Sequence, residues 1–159
     1  MTKDQTLRQA LHELLQGGAA HLAFDDAVAD LPADLRGRKP KLLPHTPWRL
    51  VEHLRIAQYD ILEFCRNPDY ASIDWPNGYW PQTDAPPNDQ AWTQSLHDFR
   101  ADHATMLALV SNPATDLSKP IPWGNGQTVL REAMLLADHN AYHLGQLVTV
   151  RRLLGAWDR

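Results

Sequence analysis

Asp138-His139-Asn140-Ala141-Tyr142-His143-Leu144-Gly145-Gln146 sits within the longest proline-free stretch of the chain. Around it, Leu136, His139, His143, Leu147, Val150 and Leu154 recur at three- and four-residue intervals, which is one face of an α-helix. A second apolar row, Leu130, Met134, Ala137, Ala141, Leu144 and Val148, runs beside the first. So wide an apolar arc belongs to a helix packed on several sides. Thr128 ahead of it and Gly155 behind it are start and stop signals, so the pattern predicts a helix over 128–154.

Working outward, the twelve prolines divide the rest of the chain. They fall in three groups: Pro32 to Pro47, Pro68 to Pro87, and Pro113 to Pro122. Helix interiors exclude proline, so the intervals between the groups are the helix candidates. A first helix is expected over 4–16, with Leu7, Leu11 and Leu14 in line with Gly18, followed by a short helix beyond the Gly17-Gly18 break. The second, 47–66, starts with Thr46 as N-cap and Pro47 at the first helical position. Its stripe is Leu50, Leu54, Ala57, Ile61 and Phe64. The third, 89–110, aligns Trp92, Leu96, Phe99, His103, Met106 and Val110. No strand-like alternation competes. The expected fold is all-α: a four-helix bundle forming one domain over 1–159. The 67–87 linker is far longer than a hairpin between neighbours requires. At about 3.3 Å per extended residue it can span a ~30 Å helix, so a crossover between the second and third helices is expected.

Composition narrows the function. The chain has 159 residues, 43% of them hydrophobic, and a net charge of −4. That balance argues against tracking nucleic-acid phosphates. No apolar run approaches the roughly 18 residues that span a bilayer, and the N-terminal residues lack a signal-peptide core. The single cysteine, Cys65, excludes an intramolecular disulfide and suits a cytoplasmic setting. It reads as a small core hydrophobe beside Phe64.

His139 and His143 carry the chemistry. Four residues apart on one helix face, their imidazoles can share a transition-metal ion. Both stand where the pattern asks for apolar side chains, so each needs a partner for its ring nitrogens. For a third ligand the spacing leaves His53, His103, His45 and His21 open, with His103 pointing most squarely inward. Gln146, one turn beyond His143, is placed to reach a ligand or a group behind it. Gly145 is expected to permit close helix approach, Asp138 and Glu52 to face solvent, and His12 and His97 to be surface residues. Trp75, Tyr79, Trp80 and Trp123 lie in the proline-rich loops, where they either cap the ends of the bundle or wall a substrate pocket.

Leu50-Val51-Glu52-His53, taken with Asp138 to Gln146, resembles the DinB/YfiT-like metalloprotein superfamily. The resemblance covers nearly the whole chain, including helix order and linker lengths. It implies a four-helix bundle with a long crossover between helices 2 and 3, and one metal ion held by His53, His139 and His143. Many relatives carry H-E-x-x-H in the last helix; Asn140 replaces that Glu here, so a proton-transfer role has no side chain at this position. The resemblance further implies a cytoplasmic homodimer with a divalent metal, zinc or nickel foremost. It points to a small-molecule substrate and a transferase using a low-molecular-weight thiol. A metal-dependent hydrolase and a non-catalytic metal-binding stress-response protein are the alternatives.

Overall fold

A computed structural model describes residues 1–157. Helix α1 spans Lys3–Gln16, α2 Phe24–Val28, α3 Pro47–Arg66, α4 Asp89–Ser111 and α5 Val129–Leu153. Short 3-10 turns occupy Ala33–Leu35 and Asn77–Tyr79, and no strand occurs among the described residues. The helix starts are fixed by side-chain oxygens that accept from otherwise unpaired backbone N–H groups. Thr46 accepts from Arg49, Asn88 from Ala91 and Thr128 from Arg131. Thr2 does the same for Gln5, whose side chain reaches back to the Thr2 N–H in a capping box. α1 ends where Gly17 turns to φ +67°, a conformation that suits glycine. Gly155, at φ +70°, follows the end of α5 in the same way.

α3 packs on both α4 and α5, and α1 packs on the same two helices from the other side. Hydrogen bonds set the helix directions. Glu52 accepts from Ser95 and Gln58 donates to the Phe99 carbonyl, so α3 and α4 run parallel. His53 lies against His143, and Gln58 against Asn140, so α5 runs antiparallel to α3. A parallel α3–α4 pair obliges the linker to return along the full length of α3. It does so in close contact with that helix. Tyr70 and Tyr79 bond Asp60, the Tyr79 carbonyl reaches His53, Thr83 accepts from Trp48, and the Asp84 carbonyl accepts from Thr46.

The core is in two halves. One gathers Leu50, Leu54, Trp92, Phe99, Leu144 and Leu147; the other gathers Leu15, Ile61, Met106, Val110, Ala133 and Leu136. Between them lies a polar layer, with Gln58 from α3 and Asn140 from α5, both buried. The expected stripe of α1 is partly displaced: Leu11 and Leu15 are buried, whereas Leu7 and Leu14 face outward. α5 buries most of both rows, with Leu136, His143, Leu147 and Val150 of the first and Ala137, Leu144 and Val148 of the second, and leaves Met134 exposed. Gly145 does not serve close helix approach. A Cβ there would meet nothing within 4 Å, because the residue opens on a cavity rather than on a packed helix. No described helix is long and apolar enough to cross a membrane.

Candidate metal centre

His53 from α3 and His139 and His143 from α5 meet at the level of the polar layer, their ligand nitrogens all within 4.8 Å of one another. The Nε2 atom of His53 stands 3.1 Å from that of His143 and 3.0 Å from that of His139. The opposite ring nitrogens explain what these short separations mean. His53 Nδ1 lies 2.7 Å from the Tyr79 carbonyl, which can only accept, so Nδ1 carries the proton. His143 Nδ1 lies 2.8 Å from Gln146 Oε1, and the same reasoning puts its proton there. Each neutral ring then turns a bare lone pair toward the other. Two lone pairs at that distance repel unless a cation lies between them. Two nitrogens bound at about 2.0–2.1 Å to one ion stand roughly 2.8–3.4 Å apart for angles from square to tetrahedral. The residues fit a metal ion.

Burial keeps the rings neutral. It holds His53 and His139 down at about 4 and lowers His143 as well. The Tyr79 carbonyl pulls His53 the other way and Gln146 does so for His143, without overcoming desolvation. Neutral imidazole is the form that binds metal. These values sit below the ordinary 6.5, so the unfolded chain takes up protons first as pH falls. After chelation, stability is whole above about pH 6.5 and drains away toward pH 4. Thermal melts of chelator-treated protein are expected to give a lower Tm at pH 5 than at pH 7.5; a flat profile would contradict this account of the cluster.

The linker supplies the surroundings. Trp80 stacks face to face on His53, centroids 3.8 Å apart and planes 3° apart. His45 stacks on Trp80 at 4.1 Å, which leaves the indole between two imidazoles. Tyr79 anchors this stretch at both ends, its hydroxyl donating to Asp60 and its carbonyl accepting from His53. Asp60 is buried and accepts from the Tyr70 hydroxyl and the Ile73 N–H as well. His139 Nδ1 and Asn140 Oδ1 are both buried without a hydrogen-bond partner.

A cavity of about 530 Å³ opens on the three histidines, walled on the linker side by Trp75, Tyr79 and Trp80. Trp123 lies outside this wall. Its indole N–H caps the end of α3 by donating to the Phe64 carbonyl at 2.7 Å, one of the last-turn carbonyls that a helix leaves free. His103 is also elsewhere: its Nε2 lies 2.9 Å from the Leu15 carbonyl at the end of α1. His21 sits by the Leu22 carbonyl on the surface. Glu52 is bound to Arg55 and Ser95, away from the cluster. Five polar residues of the cavity were not singled out from the sequence: Asp60, Ser72, Gln127, Arg131 and Glu132. Two of them had a signal. Asp60 lies seven residues after His53 and Glu132 seven before His139, each on the same helix face as its histidine.

These features define a class: an all-helical protein with a buried three-histidine cluster at the end of an open cavity. The chain belongs to the DinB superfamily, whose family model matches residues 18–147. No curated protein and no solved structure matches it.

Proposed function

We propose that this chain is a metal-dependent thiol S-transferase of detoxification type, built as a four-helix bundle with a crossover linker. In this reading His53, His139 and His143 hold one divalent transition ion, zinc or nickel. The observation that carries it is the convergence of three imidazole nitrogens at the end of a cavity large enough for a small molecule. Three protein ligands leave room for an exogenous one, as in catalytic rather than structural sites. An ion held by these three residues would supply Lewis acidity that favours the thiolate form of a thiol substrate. The thiolate sulfur forms a bond to an electrophilic carbon, the leaving group departs with its electron pair, and the thiol proton goes to solvent.

The chain's own part is orientation and exclusion of water. The Tyr79 carbonyl and Gln146 fix two of the imidazoles, and Trp80 covers the face of His53. A hydrolase would need a general base close to the nucleophilic water. Of the carboxylates lining the cavity, Asp60 is taken up by Tyr70, Ile73 and Tyr79, and Glu132 stands seven residues from His139, about 10 Å along α5. With no uncommitted carboxylate beside the cluster among the described residues, the thiol reaction is favoured. The resemblance adds a cytoplasmic homodimer to the proposal.

Cobalt-substituted protein tests it. Titration with low-molecular-weight thiols should raise a sulfur-to-cobalt charge-transfer band in the near ultraviolet. Absence of the band with glutathione, cysteine and mercaptoethanol alike would leave a non-catalytic metal protein as the better reading.

A further inference from the structure

At the end of the cavity away from the histidines, Arg131 and Glu132 stand side by side in the first turns of α5. Glu132 is 3% exposed, yet only one of its oxygens is engaged: Oε1 accepts from Arg131 Nη1 at 2.6 Å. Oε2 takes no hydrogen bond from the described residues. Glu132 lines the cavity, so Oε2 is reached from that side and is free to take a donor there. Arg131, more than half exposed, uses one of the five N–H groups of a guanidinium on this contact. Gln127 lines the same end, its Oε1 held by the Asn125 N–H at 2.6 Å and its Nε2 amide unengaged among the described residues. Asp60, by contrast, has both carboxylate oxygens satisfied.

Charge selects the ligand. The Arg131–Glu132 pair is already neutral, so a lone cation or a lone anion would engage only one side of the pair and leave the other side's remaining capacity unused. A molecule carrying both signs on neighbouring atoms engages both. It fills the capacity that remains on each side: a donor for Glu132 Oε2, and a bidentate acceptor for Arg131 and Gln127. Between this end and the histidines the wall includes the apolar side chains of Ala57, Ile61 and Leu135, with the Asp60 carboxylate among them already committed to the linker.

We propose that Gln127, Arg131 and Glu132 form a head-group subsite for an α-amino acid zwitterion, whose stem runs along Ala57, Ile61 and Leu135 toward the histidines. The substrate class is therefore a compound with an amino-acid head about 10 Å from its reacting end, the separation of seven helical residues. This rests on reading the cavity as the substrate site, and not on the ion.

Three probes of one shape separate the contributions: L-norleucine, pentylamine, which lacks the carboxylate, and hexanoate, which lacks the amine. Each is titrated into isotope-labelled protein, with zinc added and again after chelation, and followed by the NMR signals of the Gln127 side-chain amide and Arg131 Nε–H. Norleucine should bind about tenfold or more tightly than either truncated probe and shift those signals in both conditions. Glu132→Gln should reduce norleucine to the level of hexanoate, and Arg131→Gln should reduce it to the level of pentylamine. The exposed Arg131 variant gives the answer even if Glu132→Gln fails to fold. Equal binding of all three probes overturns the subsite. Norleucine binding that requires zinc overturns it too, because the amino acid would then be chelating the ion. Norleucine binding in a protein that takes up no zinc would sustain the subsite while refuting the metal reading.

Discussion

Single replacement of His53, His139 or His143 by alanine is expected to weaken binding of a divalent ion by more than about 100-fold. The scale comes from comparison with groups behind the ligands, whose loss costs 10–100-fold; removing a ligand itself deletes a bond to the ion. His53 should be as sensitive as the other two, although it stands alone on its helix, because its Nε2 is 3.0–3.1 Å from both partners. His103→Ala is the control. Its ring bonds the Leu15 carbonyl at the end of α1, so the variant should keep the ion and lose about 1 kcal/mol of stability. Metal content after purification, with competition titration against a chromogenic chelator, reads all four. Retention of the ion by His53→Ala and its loss from His103→Ala would reverse the assignment.

The second large effect should come from a residue that touches none of the histidines. Asp60 holds the linker at three points, through Tyr70, Ile73 and Tyr79. Asp60→Ala removes those bonds and strands two tyrosine hydroxyls, a loss of about 3 kcal/mol once non-additivity is allowed for. Tyr79 also presents the carbonyl that orients His53. Affinity for the ion should therefore fall by about tenfold in the same variant. Tyr79→Phe separates the two consequences: the backbone carbonyl stays, so stability should fall while metal affinity remains close to that of the unmodified protein. Urea unfolding and the same chelator competition give both numbers. An Asp60→Ala protein that loses stability yet binds metal normally would show that the linker does not position His53.

Much of the fold can be read from the residues because its signals are local. Prolines bound the intervals, Thr46, Asn88 and Thr128 cap the helices that follow them, and 47–66 coincides with α3 as observed. Linker length pointed to a long return path, and 67–87 does run back beside α3, held to it from Asp60 to Thr46. The faces of α1 were less so: Leu7, Leu11, Leu14 and Leu15 make two overlapping stripes, and which is buried depends on where α4 and α5 lie. In the site, the His139–His143 pair is local and legible, whereas the third histidine is not. Spacing alone slightly favours His103 over His53, and the choice between them depends on packing across about 90 residues of chain. The roles of Asp60 and Glu132 were hidden for the same reason, since each takes its meaning from a partner or cavity that only the tertiary fold creates. Trp123 looked like its neighbours in composition; only the free Phe64 carbonyl at the end of α3 distinguishes its role.

The polar layer between the two halves of the core also acts as a register key. Gln58 donates to the Phe99 carbonyl and accepts from Asn140, which ties α3, α4 and α5 to one another at a single height. Were α5 to slide by one helical turn, Leu136 or Leu144 would come to face Gln58, and two buried amides would lose their partners. Each stranded group costs about 1–3 kcal/mol, a large share of what holds a domain of this size folded. A wholly apolar interface would tolerate such a slip with little penalty. The amides thus select one alignment among several that hydrophobic packing alone would allow. That alignment carries His139 and His143 to the height of His53, so the same amides that fix the register of the helices also fix which rings can meet.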